Sequence, residues 1–557
     1  MSVSLLQSHR SLLDQALLAV QQRGYVSFFP EMPSPKIYGD TAQADGIRNI
    51  ESLLGQRFEL NQSGELGWIA PEQSPYGVRL EVAYPECQAD GLVQAGLSAM
   101  SGWQKAGLEG RMGVCLEMLK RLHARSFELA HAVMLTTGQG WMMAFQAGAP
   151  HALDRALEAV AYAWQAQSTV PGAVVWEKPQ GKNPPIRMQK HFELVGRGVA
   201  LVIGCATFPT WNSYPGLFAA LATGNAVVLK PHPRAVLPAA ITVQTLRAVL
   251  AEQGLDPNLV TLCVTGRNEV TQSLAVHPQV RSIDFTGGTA FGHWLMANAR
   301  QAQVYAELSG INHVVIDSTD RYQAMLGNLA FSLCLYSGQM CTTTQALLVP
   351  ASGFDTDEGR KTPEQFEQDL AAAIDGLLAK PAVACAVLGA IQSDDTVARL
   401  AVANSGEWGR VVRASVPLVH PDFPNARVHT PAVLACDAAD ETTYLQERFG
   451  PISFVVRVAD TAAGMALAER ITHEHGALTA GLYSTRPDVV DAMTESTWRS
   501  KVALSINLTE SVYVNQSAAF SDFHATGGNP AANACYADLA FVANRFRVVQ
   551  RRYHIAS

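Results

Sequence analysis

Cys341 stands in the stretch "YSGQMCTTTQ", between an apolar run that predicts a helix and a threonine-rich segment. A cysteine thiolate is a strong nucleophile even when only a small fraction of the thiol is ionised, so Cys341 could do covalent chemistry. Its neighbours are neutral, however, and a free cysteine is often an unreactive residue of the core. The local sequence leaves both interpretations open, and the residues that the fold places nearby must decide.

The other cysteines suggest no further chemistry. The chain has nine cysteines, which is an odd number, and it contains no C-x-x-C motif. Their spacing indicates neither a zinc site nor a disulfide framework, so we predict reduced thiols and no bound metal. Eight of them are interpreted as buried and unreactive: Cys87, Cys115, Cys205, Cys263, Cys334, Cys385, Cys436 and Cys535.

Residues 199–310 predict a parallel sheet. Five apolar runs alternate there with helical segments, and each run is continuous rather than interrupted by polar residues, which is typical of parallel βαβ units. Ligands bind beyond the carboxyl ends of such strands, so the segments that follow the runs are the candidates for function. These segments are "ATFPTWN", "KPHP", "TGGTAFG" and "ELSG".

The regions around this sheet have other patterns. Apolar residues at three- and four-residue spacing predict helices over 90–170, and the following stretch, rich in proline, glycine and lysine, predicts an extended excursion or hairpin. A second mixed α/β region runs to about residue 510, and the tail from residue 540 predicts a final strand.

Composition restricts the partners and the location. The chain is 48% hydrophobic and 16% charged, with a net charge of -8 and no basic stripe, so we expect no nucleic-acid binding. The N-terminal stretch predicts an amphipathic helix rather than a signal peptide, and no apolar window is long enough to cross a bilayer. We therefore expect a cytoplasmic protein that does not associate with membranes.

Six motifs, taken in their order along the chain, resemble those of the aldehyde dehydrogenase superfamily. They are "FPTWNSYP", "VVLKPHP", "FTGGTAFG", "ELSGINHVVIDSTD", "YSGQMCTTTQ" and "ERFGPISFV". The 34-residue gap between Glu307 and Cys341 (341 − 307) is also the usual one in that family. The resemblance extends from about residue 90 onward.

The resemblance implies an α/β fold with a Rossmann-type cofactor-binding domain, a second α/β catalytic domain and a small β oligomerisation arm. The implied boundaries are 1–165 for the N-terminal part of the cofactor-binding domain, 166–195 for the oligomerisation hairpin, 196–306 for the Rossmann-type domain, 307–510 for the catalytic domain, and 511–557 for the C-terminal return and oligomerisation strand. A homodimer or homotetramer is expected.

Three residues receive catalytic roles from the resemblance. Cys341 is the nucleophile that attacks an aldehyde and ends as a thioester, and Glu307 is the base that activates water for hydrolysis. The Asn212 amide and the Cys341 backbone N–H stabilise the alkoxide. In isolation, the pattern favours a solvated or ion-paired carboxylate at a strand end for Glu307, and Asn212 could be a turn residue before Pro215.

A nicotinamide cofactor is implied as well. Lys230 is assigned to the adenosine ribose, Glu447 to the nicotinamide ribose and Phe449 to packing beside the nicotinamide. Without the family, Lys230 could be a surface lysine, Glu447 an exposed acid and Phe449 a core aromatic. The full set of predicted cofactor-binding residues is Lys230, His232, Arg234, Thr286, Gly287, Gly288, Gly292, Trp211, Leu308, Glu447 and Phe449.

Departures from the family pattern bear on specificity. NAD-preferring members often carry a glutamate where this chain has Pro233, and an acid there would repel a 2′-phosphate. With Lys230, His232 and Arg234 nearby, we predict a preference for NADP over NAD. Ser309 also replaces the usual glycine of the glutamate motif. Gly288 replaces a serine that many family members have in the glycine turn.

The substrate end departs too, because "AAFSDFHATGG" replaces the family's usual C-terminal motif. Together with a long N-terminal extension, this resembles the PaaN-type aldehyde dehydrogenases of phenylacetate degradation and their relatives in benzoate catabolism. The implied substrate is a semialdehyde linked to coenzyme A. The alternatives are a free aliphatic or aromatic aldehyde, acyl transfer to coenzyme A, or a non-catalytic nucleotide-binding protein, whose mark would be the loss of Cys341, Glu307 or Asn212.

Overall fold

The computed structural model describes residues 2–555. The N-terminal part is mainly helical because its apolar residues recur at helical spacing and pack into one buried core. Its elements are α1 Ser2–Gln22, α2 Pro35–Tyr38, α3 Ala42–Leu53, β1 Glu65–Ile69, β2 Tyr84–Cys87, α4 Ala89–Lys105, α5 Gly107–His123, α6 Ser126–Thr137, α7 Trp141–Gly148 and α8 Pro150–Ser168.

An antiparallel hairpin follows these helices, as the stretch rich in proline and glycine predicted. Its strands are β3 (Ala173–Gln180) and β4 (Asn183–Gly196), which pair from Ala173 opposite His191 to Gln180 opposite Asn183.

The next region forms the predicted parallel sheet, in the order β7-β6-β5-β8-β9. The strands are buried along almost their whole length, which explains their continuous apolar runs. The elements are β5 Val199–Ile203, α9 Ser213–Ala222, β6 Ala226–Lys230, α10 Leu237–Glu252, β7 Val260–Leu262, α11 Asn268–Val276, β8 Val280–Thr286, α12 Thr289–Asn298 and β9 Gln303–Glu307.

A second sheet has seven strands in the order β15-β18-β19-β12-β10-β20-β21, and only β15 is antiparallel to its neighbour. The elements of this region are β10 Asn312–Ile316, β11 Ser318–Thr319, α13 Tyr322–Cys334, β12 Thr344–Pro350, β13 Phe354–Thr356, β14 Gly359–Lys361, α14 Pro363–Leu377, α15 Pro381–Leu388, α16 Asp394–Ser405, β15 Arg410–Arg413, β16 Pro417–Leu418, β17 Val428–His429, β18 Ala432–Asp437, α17 Glu441–Tyr444, β19 Ile452–Val458, α18 Thr461–His475, β20 Thr479–Tyr483, α19 Pro487–Ser500 and β21 Ala503–Ile506.

The chain then returns to the first half of the molecule through α20 (Leu539–Ala543) and β22 (Phe546–His554). The terminal strand β22 was predicted from the alternating tail, and it pairs antiparallel with β4 to give a three-stranded sheet in the order β22-β4-β3. The predicted fold class, with two α/β sheets and a small β arm, is therefore confirmed.

The two large sheets meet where the catalytic residues were predicted. Strand β9 ends at Glu307, and β10 begins five residues later in the other sheet. Cys341 precedes β12, which lies beside β10 and pairs Thr344 with Asn312. Glu307 therefore lies where the chain leaves the first sheet for the second. Cys341 lies just before β12, the strand next to β10.

No single helix among residues 2–555 has the length and apolar composition needed to span a membrane. The helices α14 and α15 meet these two criteria only as a pair, and they are bent by 105° relative to each other.

Candidate active site

A turn with left-handed backbone conformation lies just before Cys341 in the chain. Tyr336, Ser337 and Gly338 have φ values of 50°, 49° and 60°. Residues other than glycine seldom adopt this conformation, and they keep it only where the surroundings enforce it. The Tyr336 hydroxyl, which is fully buried, donates to the Thr137 carbonyl at 2.6 Å and supplies part of that enforcement. The turn ends the preceding helix and redirects the backbone toward the cavity.

Asn312 holds the backbone of the cysteine loop. Its side-chain Nδ2 donates to the carbonyls of Cys341 at 2.8 Å and Thr343 at 3.0 Å. Its Oδ1 accepts from the backbone N–H groups of Leu478 at 2.9 Å and Thr479 at 3.0 Å. This buried amide therefore uses both donors and its acceptor to tie β10, the cysteine loop and β20 together.

Glu307 is buried at the end of β9 and faces Cys341. Its Oε2 lies 3.0 Å from His524 Nε2 and accepts from Asn212 Nδ2 at 3.4 Å. The ligand-type atoms of Glu307, Cys341 and His524 lie within 4.8 Å of one another, a group that could also hold a metal ion. The structure thus brings the three predicted catalytic residues together.

The electrostatics of the site favour an ionised Glu307 and a protonated Cys341. Burial opposes ionisation of the carboxyl, but His524, the Cys341 thiol and Arg155 outweigh it and lower the pKa of Glu307. Burial, followed by the charge of Glu307, raises the pKa of the Cys341 thiol well above its ordinary value. The nucleophile therefore needs a base, and the carboxylate of Glu307 is in contact with it.

Asn212 stands at the N-terminal end of α9. Besides donating to Glu307, its amide has Oδ1 3.6 Å from the Cys205 thiol. The predicted role of this amide as an alkoxide donor stays a prediction, because in this arrangement the amide donates to the base.

A cavity of about 760 Å³ opens at the junction, and it is lined by all three predicted catalytic residues. Most of the predicted cofactor-binding residues also line it: Lys230, His232, Arg234, Thr286, Gly287, Gly288, Leu308, Glu447 and Phe449.

The residues after β6 form a basic end of this cavity. Lys230 is nine-tenths buried, and burial lowers its pKa. Burial, with the neighbouring charges of Lys230 and Arg234, lowers the pKa of His232 to about 4, so this imidazole is neutral near pH 7. Its Nδ1 accepts from the Arg234 backbone N–H at 3.2 Å. Hydroxyl or phosphate oxygens of a dinucleotide fit this donor set.

The glycine turn opens helix α12 beside the cavity. Gly288 is the N-terminal cap of α12, whose unpaired N–H groups and dipole favour an anion. A Cβ on Gly287 would lie 2.7 Å from the Phe285 ring, so the backbone there has no space for a side chain. These features fit the pyrophosphate of a nicotinamide dinucleotide.

Glu447 and Phe449 also line the cavity. Burial raises the pKa of Glu447, and hydrogen bonds from the Ser309 hydroxyl and the Gly310 N–H partly offset that shift. Arg399 donates from Nε at 3.1 Å and from Nη2 at 2.9 Å to the Phe449 carbonyl. Ser309, which replaces the usual glycine, therefore donates a hydrogen bond to Glu447, the residue predicted to hold the nicotinamide ribose.

Two predicted cofactor-binding residues, Trp211 and Gly292, are not among the residues that line the cavity, and their assignment stays a prediction. The Trp211 indole is occupied by other contacts, because Arg155 lies over it at 4.0 Å and His524 meets it edge-on at 4.7 Å. Gly292 faces Leu308, whose Cδ2 would lie 2.1 Å from a Cβ at this position. Gly292 therefore leaves space for the Leu308 side chain against helix α12.

The sequence interpretation missed three residues of the site. His524 was inside the departing stretch "AAFSDFHATGG", so an unexplained histidine was its only signal. Asn312 was inside the glutamate motif, and Arg155 was one charged position in an amphipathic helix. No spacing in the sequence connects these residues with Cys341.

Known proteins share this arrangement of the chain. The sequence model of the aldehyde dehydrogenase family matches residues 68–531. The crystal structure of an NAD-dependent aldehyde dehydrogenase from Burkholderia multivorans is 54% identical, with a TM-score of 0.98 over 99% of both chains. A 1-pyrroline-5-carboxylate dehydrogenase structure, 18% identical with a TM-score of 0.73 over 96% of this chain and 99% of that one, shows the shared fold.

Two curated relatives are more distant in sequence. The 1-pyrroline-5-carboxylate dehydrogenase of Bacillus subtilis is 29% identical over 331 residues, which are 57% of this chain and 61% of that protein, so the match spans less than two thirds of the relative. The N-succinylglutamate 5-semialdehyde dehydrogenase of Ectopseudomonas mendocina is 27% identical over 454 residues, 81% and 86% of the two chains. With the family model covering most of its length, this chain belongs to the aldehyde dehydrogenase family of oxidoreductases.

Proposed function

We propose that the protein oxidises an aldehyde to a carboxylic acid and passes the hydride to a nicotinamide dinucleotide. The observation that carries this proposal is the meeting of the Cys341 thiol with the Glu307 carboxylate in one cavity. The same cavity contains Lys230 and the glycine turn at Gly287, which suit a dinucleotide.

The first half of the reaction forms a thioester. Glu307 takes the proton of the Cys341 thiol, and the thiolate attacks the aldehyde carbon. The Asn212 amide and the Cys341 N–H then donate to the alkoxide, and losing one such donor typically lowers the rate about 10²–10³-fold. When bound, the nicotinamide ring supplies the hydride acceptor.

The second half releases the product. Glu307 first releases to solvent the proton that it took from the thiol. It then takes a proton from water, the water oxygen attacks the thioester carbon, and the carbon–sulfur bond breaks to return Cys341 as a thiolate. The presence of this carboxylate supports hydrolysis rather than transfer of the acyl group to coenzyme A. Acid formation without added coenzyme A is the expected result, and strict dependence on coenzyme A would instead support the acylating alternative.

Substitution of the nucleophile tests the reaction. Cys341→Ala should abolish aldehyde-dependent reduction of the cofactor, because no thioester can form. The matched control is Cys436→Ala, which removes a buried thiol on β18 and should leave the activity near that of the wild type. Full activity in Cys341→Ala would contradict the proposed mechanism and favour a nucleotide-binding protein without this chemistry.

We propose NADP as the preferred cofactor. Lys230, Arg234 and Arg267 line the same cavity, and Pro233 stands where an acid would repel a 2′-phosphate. The Burkholderia multivorans relative is described as NAD-dependent, so NAD is the alternative. The wild type should have the higher kcat/KM with NADP, and Pro233→Glu should shift the ratio toward NAD. A clear NAD advantage in the wild type would refute the preference.

The proposed substrate is a semialdehyde linked to coenzyme A in aromatic catabolism, of the PaaN type. The N-terminal extension supports a specialised substrate entrance, because it packs on the departing C-terminal stretch: Phe28 lies 5.1 Å from Phe520, and Arg23 lies 3.9 Å from the Phe523 ring. The curated relatives are named for other substrates, 1-pyrroline-5-carboxylate and N-succinylglutamate 5-semialdehyde. Comparing kcat/KM for free and CoA-linked aldehydes decides between the alternatives.

We also propose that the three-stranded arm joins copies of this chain in the cytoplasm as a dimer or a dimer of dimers. The arm exposes apolar side chains, including Val175, Val548, Val549 and Tyr553, each about half exposed. Light scattering on the purified protein should give a dimer or tetramer, and Val549→Asp should lower that mass. A wild-type monomer would refute this part of the proposal.

A further inference from the structure

His524 and Glu307 form a buried pair between distant parts of the chain. The two residues are 217 positions apart, and their side chains are only 3% and 1% exposed. Because the pKa of Glu307 is lowered, the carboxylate is ionised and can only accept hydrogen bonds, so His524 Nε2 carries the proton and donates. A charge-assisted hydrogen bond in a water-poor site restrains the carboxylate more than a bond between neutral groups would.

His524 is itself fixed in place. The edge of its ring contacts Trp211 with the ring centroids 4.7 Å apart at 88°, and its backbone carbonyl accepts from the Tyr536 N–H at 3.3 Å. The guanidinium of Arg155 also lies over the Trp211 indole, 4.0 Å from the ring centre. The imidazole therefore has one well-defined orientation toward the carboxylate.

The two oxygens of Glu307 have different surroundings. Oε2 is bonded to His524 and to Asn212, whereas Oε1 is buried and has no hydrogen-bond partner among the described residues. A buried carboxylate oxygen without a donor is unfavourable, so Oε1 is the oxygen that suits an incoming water. The pairing at Oε2 thereby decides which oxygen faces the reaction.

We propose that His524 is a positioning residue for hydrolysis of the thioester, a role that rests on the proposed function. With Nε2–H donating to Oε2, the carboxylate presents Oε1 to water. An O–H bond of water breaks and its proton goes to Oε1, while the water oxygen bonds to the thioester carbon. The carbon–sulfur bond then breaks, Cys341 leaves as a thiolate, and the acid is released. His524 keeps its own proton throughout and acts through Glu307.

The test separates thioester formation from hydrolysis in the full-length protein. In His524→Ala, the first turnover of cofactor reduction should slow less than steady-state kcat, which should fall about tenfold or more, so that a burst appears. The acid limb of the kcat profile should move to higher pH because Glu307 has lost a donor. His524→Gln, whose amide can donate in the same place, should recover most of kcat.

Two comparisons distinguish the outcomes. A control variant identifies a folding defect, and the activity of the wild type tests the proposed function separately from the role of His524. His131→Ala removes a histidine outside the cavity and should show neither the burst nor the shifted limb. If the wild type is active and depends on Cys341, but His524→Ala keeps the wild-type kcat and pH profile, the positioning role is refuted while the proposed function stands. Equal slowing of the burst and of steady-state turnover would also refute it. A wild type without aldehyde oxidation would refute the proposed function itself.

Discussion

The guanidinium of Arg155 lies 4.0 Å from the centre of the Trp211 ring, and the His524 imidazole meets the same indole with the ring centroids 4.7 Å apart. Arg155 is buried, and its Nε and Nη1 have no hydrogen-bond partner among residues 2–555. A buried cation in this position is costly, and its stacking on the indole recovers part of that cost. Its positive charge also acts on Glu307.

Arg155→Met should therefore make Glu307 harder to ionise. Removal of the positive charge raises the pKa of the carboxyl, so the acid limb of the pH–rate profile is expected at higher pH than in the wild type. Steady-state kinetics across pH measure the shift. Arg111→Met is the control, because it removes a buried arginine outside the cavity and should leave the limb unchanged. If the acid limb of the pH–rate profile stayed at the wild-type pH in Arg155→Met, the charge of Arg155 would not influence Glu307.

Gly338→Ala should damage both stability and cofactor binding. Gly338 has a φ of 60°, and an added Cβ would lie 2.5 Å from the Gly450 carbonyl oxygen, next to Phe449. The left-handed conformation alone costs a residue with a side chain about 1–2 kcal/mol. We expect a lower Tm and a higher KM for the nicotinamide cofactor, measured by thermal unfolding and initial rates.

The matched control for that substitution is Gly327→Ala in the middle of α13. Gly327 is exposed, and a Cβ there would meet no atom within 4 Å. Alanine in a helix interior is more stable than glycine by about 0.5–1 kcal/mol, so this variant should gain stability and keep its KM. If both variants behaved alike, the strained turn would have no special importance.

Glu72 should make the stability of the protein depend on pH. Burial raises the pKa of this carboxyl from its ordinary 4.5 to about 7, although Tyr84 and the backbone N–H groups of Val236 and Leu237 bond to it. The folded state therefore binds a proton more tightly than the unfolded state, and the resulting stabilisation disappears as pH rises from about 4.5 to about 7.

Glu72→Gln should remove this pH dependence while an amide oxygen keeps accepting from the backbone. Relative to the wild type, the variant is expected to be more stable at about pH 8 than at about pH 5, as measured by denaturant unfolding at both values. Glu65→Gln changes an exposed glutamate nearby and should follow the wild type at both pH values. A Glu72→Gln variant that also follows the wild type would refute the prediction.

Arg545→Met should weaken the attachment of the β arm. Arg545 donates from Nη1 at 2.8 Å and from Nη2 at 2.5 Å to Asp284 on β8, and both side chains are buried. Removing one partner of such a pair leaves an uncompensated charge and costs about 3–5 kcal/mol. Denaturant unfolding should show this loss, whereas Arg551→Ala at the exposed Glu193 pair should have little effect.

The sequence alone predicted that Cys341 and Glu307 belong to one site, because both residues lie in local motifs. Glu307 ends strand β9, and the chain continues from there into β10. Strand β10 pairs with β12, which follows Cys341 in the chain. The same logic placed Lys230 and the glycine turn in the cavity wall.

Residues that reach the site from elsewhere could not be predicted in this way. His524 comes from an irregular segment, and no periodicity connects it with a strand 217 residues earlier. Trp211 was assigned to the cofactor because of its motif, yet the direction of its indole depends on Arg155, which belongs to the helix α8. Tertiary packing of this kind leaves no trace in local spacing.

The buried pair of Asp284 and Arg545 also sets an order for synthesis. Asp284 belongs to the five-stranded sheet, whereas its partner is translated 261 residues later. A nascent chain on the ribosome can form every strand of that sheet and still carry an unpaired carboxylate in its core. The part of the chain that contains this sheet therefore reaches full stability only after Arg545 has been translated.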